Sequence, residues 1–262
     1  MTKDYLWLNL RELPYFRSLV RANESLFYQQ LEFPRPILDV GSGDGHFAAR
    51  TFDRPIDVGI DPWSGPVRKS IRYGIYQLVI QGNAAQIPFA NASFGSAISN
   101  SVLEHIPDVD SVLQDVARVL QPGAPFYFCV PNHRFLSSLS IGGALDQAGL
   151  GSLGSAYRRF FNRISRHYHC DSPETWQARL NRHGFSLERW WHYLPPQGFH
   201  HVEWGHYFGL PSLLIHAVSR RWILVPQEWN LHLTRRMLAP YYGPAAVSDE
   251  GVYTFYIARR NA

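Results

Sequence analysis

The apolar run Ile37-Leu38-Asp39-Val40 leads straight into Gly41, Gly43 and Gly45, three glycines at alternate positions directly behind an acid. Glycine lets the backbone turn through angles closed to other residues, and lets a ligand come within contact distance of the main chain. An apolar strand that ends in such a turn is suited to cradle a nucleotide-like cofactor. The spacing separates two kinds of cofactor. A dinucleotide fingerprint G-x-G-x-x-G needs glycine at 46, where the chain has His46, so nicotinamide chemistry is disfavoured. About 20 residues past the first glycine, Val58-Gly59-Ile60 ends in Asp61, where a carboxylate can accept both hydroxyls of a ribose. Histidine titrates near neutral pH, so His105 could take a proton from a hydroxyl or a ring carbon, or it could serve structure at a helix start. His201 is a second candidate for proton transfer. His200, His201 and His206 cluster with Glu203, but their spacing does not require four ligands on one convergent face. They are read as the wall of a pocket or cap, and no metal site is assigned.

These groups have to be positioned by regular elements. From residue 36 to 130 the pattern is apolar strand, turn, helix, apolar strand, repeated, which demands a parallel sheet covered on both faces. Right-handed crossovers fix the hand of the layering. Val112, Leu113, Val116, Val119 and Leu120 recur at helical spacing and stop at Pro122-Gly123, just before an apolar strand over 125–131. Asn100 falls at the end of the fourth strand. That is the carboxyl edge where ligands bind in open α/β sheets; alternatively, Asn100 is a turn residue bonding its own backbone. Ahead of this frame, 5–31 predicts one or two helices, lying across the cofactor mouth as a lid or packed against the sheet edge. The stretch 136–153, rich in Ser, Gly and small apolar residues, predicts a mobile loop with short helical pieces. Ser172-Pro173-Glu174 marks a helix start and His183-Gly184 its end. Residues 185–194 and 252–258 are strand-like. The 195–247 stretch between them is too long for a hairpin connection and must carry structure of its own.

Size and composition bound the rest. The chain has 262 residues, 45% hydrophobic and 15% aromatic, with 18% charged, below the globular average of about 25%. A single domain is expected, with sections at 1–35 (helical lid), 36–131 (cofactor-binding core), 132–194, 195–247 (aromatic insertion) and 248–262 (final strand). Two cysteines, Cys129 and Cys170, support neither a disulfide framework nor a thiolate metal site. No signal-like apolar stretch follows Lys3 and Asp4, which points to the cytoplasm. The nearest thing to a membrane span, 210–225, is short and broken by His216, Arg220 and Arg221, and reads as an amphipathic or buried helix. Charge is uneven: residues 1–131 carry net −2 and residues 132–262 net +6. Arg158, Arg159, Arg163 and Arg166 are the densest part of that excess, a solvated helix face or a greeting for an anion. Six of the eight tryptophans lie after residue 170. The aromatic residues of 190–208 can wall an apolar small-molecule site. Joined to the apolar residues of 213–223 they can instead lie at a bilayer surface with Arg220 and Arg221 at the head groups, or form a plain core for the insertion.

Further motifs follow in order. Gly82-Asn83-Ala84-Ala85-Gln86-Ile87-Pro88-Phe89 resembles a third-strand segment usually written G-D-A-x-x-L-P-F, and 94–106, containing Asn100-Ser101-Val102-Leu103-Glu104-His105, resembles a fourth strand and its turn. With D-x-G-x-G-x-G at 39–45, the chain resembles the class I S-adenosylmethionine-dependent methyltransferases. The resemblance is to the small-molecule, methyltransferase type 11-like branch, which includes quinone-biosynthesis and lipid-modifying enzymes. The resemblance implies a Rossmann-like, doubly wound, mostly parallel seven-stranded sheet with one antiparallel strand near the C-terminus, plus N-terminal helices and an inserted cap. It implies S-adenosyl-L-methionine as cofactor, held by Asp39, Gly41, Ser42, Gly43 and Gly45, by Asp61 with Pro62 on the ribose, by Asn83 and Ala84 at the adenine, and by Asn100. The family usually has acids where this chain has Asn83 and Gly95; the amide oxygen of Asn83 can still accept from the adenine amino group. The implied reaction is methyl transfer to an oxygen, nitrogen or carbon of a hydrophobic or aromatic small molecule, with peripheral membrane contact open. The alternative is a non-catalytic cofactor-binding or interaction protein. Nucleic acid is disfavoured, because the basic excess is small and no Asn/Asp-Pro-Pro-Tyr-type motif follows the fourth strand.

Overall fold

The computed structural model describes residues 3–262, apart from the side chains of Leu210 and Pro211. Helices α1 (Tyr5–Leu10) and α2 (Tyr15–Tyr28) come first. Strands and helices then alternate except between β3 and β4, which no helix separates: β1 (Ile37–Val40), α3 (His46–Thr51), β2 (Ile56–Asp61), α4 (Ser64–Ser70), β3 (Tyr76–Gln81), β4 (Ser96–Asn100), α5 (Val109–Val119) and β5 (Pro125–Pro131). After them run α6 (Ser140–Gln147), α7 (Gly151–Ser165), α8 (Pro173–Arg182), β6 (Phe185–Tyr193), α9 (Pro196–Phe208), α10 (Leu210–Ser219), α11 (Glu228–Leu238) and β7 (Tyr253–Arg260). The chain forms two compact units, each drawn from three separate stretches. One comprises Leu31–His133, Arg166–Trp191 and Tyr253–Ala262; the other Met1–Gln30, Arg134–Ser165 and His192–Val252.

The first unit is built on a seven-stranded sheet in the order β3-β2-β1-β4-β5-β7-β6. Leu38 pairs in parallel with Val58 on one side and Ala97 on the other, while β7 runs antiparallel to β5 with Phe128 opposite Tyr256. Every residue of β1, β4 and β5 is buried, which explains why they read as unbroken apolar or small runs rather than alternating ones. Helix α5 buries Val109, Val112, Leu113, Val116 and Val119 along one stripe, and Asp108 caps it by accepting from the Ser111 N–H at 3.2 Å. Such a cap contributes about 1 kcal/mol. Helix α8 starts as its residues dictate, with Ser172 as cap and Pro173 in the first turn, and sinks Trp176 fully into the core against Phe128 at 5.2 Å between ring centroids. Gly95 has a steric reason of its own. A Cβ there would stand 2.7 Å from the Arg35 carbonyl oxygen and 2.8 Å from that of Pro34.

The second unit is helical and corrects one expectation. Most of the stretch expected to be a mobile loop, 136–153, lies in α6 and the first turn of α7. Gly142 in this stretch and Gly154 just after it are spacers between packed helices, whereas Gly149 takes a left-handed φ of +76° in the turn between α6 and α7. A Cβ on Gly154 would collide with the Asp146 carboxylate and stand 3.0 Å from the Gly142 carbonyl oxygen, and one on Gly142 would stand 3.1 Å from the Arg158 guanidinium. Small residues that let helices approach closely look, in one dimension, like loop composition. The core of this unit is aromatic: Phe135 lies against Phe199 at 4.8 Å and Phe161 at 6.1 Å, all three fully buried.

Candidate functional site

In the sheet unit, strand order reverses between β2-β1 and β4-β5, the topological switch point beyond whose carboxyl ends open α/β sheets bind ligands. The turn after β1 lies there. Gly41 and Gly43 adopt left-handed φ values of +79° and +57°, a region in which a side chain costs strain. A Cβ on Gly41 would also run into the Val102 side chain. The N–H groups of Gly41 and Ser42 both donate to the Ile60 carbonyl, at 2.8 and 3.0 Å, fastening the turn to β2. Gly43 N–H donates to Asp61 Oδ2 at 3.0 Å and Trp63 N–H to Asp61 Oδ1 at 2.9 Å. Burial, and to a lesser extent the charge of Asp44, hold the Asp61 carboxyl above its usual range despite those two bonds. Each oxygen thus carries one backbone bond and keeps acceptor capacity, in a setting that stabilises the anion poorly without further donors. Two ribose hydroxyls are donors of the required kind, and the residues present fit the nucleoside they were expected to hold.

Asp39, one strand over, is buried and accepts from the Tyr76 hydroxyl at 2.6 Å. Tyr76 opens β3 and was not singled out from the sequence. Burial first, then the charge of Asp39, push its phenol well above its usual pKa, so it stays a donor. The signal for it was Gly59. A Cβ at that position would lie 3.0 Å from the Tyr76 ring and 2.9 Å from the Ser42 Cβ, so the missing side chain makes room for both. The Ser42 side chain therefore lies over β2, its Oγ buried without a hydrogen bond among the described residues. Gly45, at φ +77°, ends the turn by donating to the Ser42 carbonyl at 3.2 Å.

The remaining expected residues follow the ends of β2, β3 and β4. Pro62 offers its carbonyl to Gln81 Nε2 at 3.3 Å. Asn83 is exposed and turns its Oδ1 to the Ala85 N–H at 3.0 Å, which holds the 83–86 turn, while Ala84 is buried in the core cluster. Asn100 is buried, and its Oδ1 accepts from the Cys129 thiol at 3.2 Å across the β4–β5 pair. His105 ends a 3-10 turn beyond β4, half exposed, with its Nδ1 3.1 Å from the Arg166 carbonyl. A carbonyl can only accept, so Nδ1 carries the proton and the neutral ring has its lone pair on Nε2, 3.7 Å from Glu104 Oε1. One ligand-type atom from each of Glu104, His105 and His167 lies within 4.8 Å of the others.

The histidines of the helical unit do not join Glu203 in a ligand set. Glu203 is fully buried and saturated: Oε2 accepts from Ser140 N–H and Ser140 Oγ, both at 2.6 Å, and Oε1 from Ile141 N–H at 3.1 Å and the Tyr157 hydroxyl at 2.7 Å. It caps α6, whose own preceding residue Leu139 provides no side-chain cap. His206 lies between the rings of Phe16 and Phe161, at 4.9 and 5.1 Å, with Nδ1 donating to the Val202 carbonyl. His201 packs on Tyr241 at 5.4 Å, and burial followed by the neighbouring His200 lowers its pKa, leaving a neutral ring able to accept a proton.

Residues 38–128 match the model of the "Methyltransferase domain" family. An uncharacterized methyltransferase of Mycobacterium sp. (strain KMS) is 31% identical over 90 residues, 34% of this chain and 36% of that protein. The O-methyltransferase resE of Aspergillus sclerotiorum is 35% identical over 99 residues, again 34% and 36%. The chain thus spans about a third of the length of these curated relatives. A Thermotoga maritima structure described as an S-adenosylmethionine-dependent methyltransferase, "possible histamine N-methyltransferase", superposes with a TM-score of 0.58 at 15% identity, covering 98% of this chain and 93% of that one. Residues 38–128 are thus similar to a methyltransferase domain, and the fold is similar to that of a solved S-adenosylmethionine-dependent methyltransferase.

Proposed function

We propose that the chain transfers the methyl group of S-adenosyl-L-methionine to a hydrophobic or aromatic small molecule in the cytoplasm. The observation that carries the cofactor half is the Asp61 carboxylate, buried beside a left-handed glycine turn, raised in pKa by that burial and holding spare acceptor capacity. The bound cofactor supplies an electrophilic sulfonium methyl. The chain's part is to hold it: Asp61 fixes the ribose, Asp39 and the 41–45 turn the amino-acid portion, and Asn83 with Ala84 the adenine. Positioning and exclusion of water can supply much of the acceleration, so no strong base is required. Where the acceptor must lose a proton, His105 through Nε2 and His201 are the groups able to take it.

Acceptor selection is assigned to 133–247. That stretch holds His201 and Trp204 and is rich in aromatic side chains, whereas the glycine turn is committed to cofactor. A panel of quinones, phenols and lipid-like amines, with S-adenosylhomocysteine formation as the readout, tests the reading. Turnover of a member, lost in Asp61→Ala and altered in Trp204→Ala, is the expected result. The Asn83 oxygen, already turned to Ala85, favours a second reading, cofactor binding without transfer. Tight binding with no turnover of any panel member or of extracted cell metabolites would establish that second reading instead.

A further inference from the structure

Helices α10 and α11 and the segment joining them carry large apolar side chains outward. On α10, Leu214 is 73% and Val218 89% exposed, one turn apart; on α11, Trp229 and Leu233 are each 76% exposed, also one turn apart, with Met237 continuing the row. A surface helix ordinarily hides its apolar stripe and shows mixed charge. Here the stripes face out, and the charge around them has one sign. Between 204 and 237 the chain has four arginines, Arg220, Arg221, Arg235 and Arg236, and a single acid, Glu228. Arg235 is engaged by Asp4 at 2.5 Å and Glu228 at 3.5 Å. Arg220, Arg221 and Arg236 are exposed and make no ion pair among the described residues.

We infer that these outward apolar rows dock on an anionic phospholipid bilayer, lying in the interface. Outward Leu, Val and Met would enter the acyl boundary, Trp229 would sit at head-group depth, and the three unpaired arginines would meet lipid phosphates. The charge decides among occupants. A second copy of the chain would bring the same arginines against one another, and like charges oppose that contact. Among the described residues no helix is long and apolar enough to cross a membrane. The ten residues of α10 rise about 15 Å, half the thickness of a hydrocarbon core of about 30 Å. The contact is therefore with the surface. This inference does not rest on the methyl-transfer reading and can fail or hold without it.

Cosedimentation of the full chain with large unilamellar vesicles tests it, comparing phosphatidylcholine alone with phosphatidylcholine containing phosphatidylglycerol. Binding at least about 10-fold stronger to the anionic vesicles, weakened by added salt, is expected. Trp229→Ser with Leu233→Ser, and separately Arg220→Gln with Arg221→Gln, should each cut that binding about 10-fold while melting temperature and cofactor affinity stay at wild-type values. These side chains are exposed, so the variants should fold. Absence of binding to anionic vesicles overturns the inference, as does binding that ignores lipid charge. A concentration-dependent dimer that Trp229→Ser dissolves, with no vesicle binding, would assign the face to a second copy instead.

Discussion

The switch-point turn of the sheet unit and the α6–α9 junction of the helical unit each center on a buried carboxylate that accepts backbone N–H groups. Glu203 receives four donors, two of them the first N–H groups of α6, and its capacity is filled by the protein itself. Asp61 receives two, and burial raises its pKa because they do not compensate the lost water. A carboxylate saturated by its own chain is part of the architecture. One that is desolvated and under-supplied with donors is suited to a ligand that brings them. The distinction does not depend on residue type or on burial alone; it depends on the donor count.

That contrast is most sharply tested by removing Glu203. Glu203→Ala leaves two helix N–H groups and two hydroxyls without their acceptor and should cost on the order of 3–5 kcal/mol, read as a large fall in the denaturation midpoint. Glu203→Gln, which keeps one acceptor oxygen, should cost about half as much and leave cofactor affinity unchanged. A tenfold loss of affinity in the Gln variant would show that Glu203 also serves the cofactor and would erase its contrast with Asp61.

Asp61→Ala should show the reverse pattern. Calorimetry is expected to find cofactor binding weaker by about 1–3 kcal/mol, with stability changed by about 1 kcal/mol or less. A carboxyl whose folded pKa is raised binds protons more readily folded than unfolded, so its ionisation opposes folding above the unfolded value, about pH 3.9. Removing it cannot cost the stability that removing Glu203 does. If Asp61→Ala melts like Glu203→Ala, Asp61 is structural.

Tyr76→Phe should give a smaller effect of both kinds: about 1–2 kcal/mol of stability, from loss of the 2.6 Å bond to Asp39, and a lesser drop in cofactor affinity than at Asp61. Equal melting of the variant and wild type would show that the bond contributes nothing.

Acid should separate the two units by sign. His201 and His206 have lowered pKa values, both chiefly through burial. The unfolded chain then takes up more protons than the folded one below about pH 6.5, and stability falls as pH drops from 7 toward 5. His206→Phe should flatten that decline; an unchanged pH profile would show that the buried ring does not cause it. The smallest expected effect is Asn83→Asp, which should keep or slightly improve cofactor affinity, with Asn83→Ala below both. Equal affinity of all three variants would place Asn83 away from the adenine.

Much of the sheet unit was legible before any coordinates. Strands β1, β4 and β5, the α5 stripe ending at Pro122-Gly123, and the Ser172-Pro173 helix start are local patterns whose physics acts over a few residues. The antiparallel closing strands came from the family resemblance, because nothing local in 253–260 names its partner. The helical unit was misread where close packing mimics looseness: Gly142 carries the composition of a loop and the function of a helix contact. The Tyr76–Asp39 bond spans 37 positions, so neither residue announces the other.

By itself the sequence determined where the chain turns on left-handed glycines after β1 and where an acid ends β2, the pattern that a ligand held by main chain demands. It determined that 195–247 must carry structure of its own and that its arginines outnumber its acids. Tertiary structure alone decided which buried carboxylate is filled and which retains capacity. It also decided that Ser42 turns toward Gly59, and that the apolar rows of α10 and α11 point outward. Those outcomes depend on which donors and side chains long-range folding brings within reach, and composition and spacing along the chain do not carry that information.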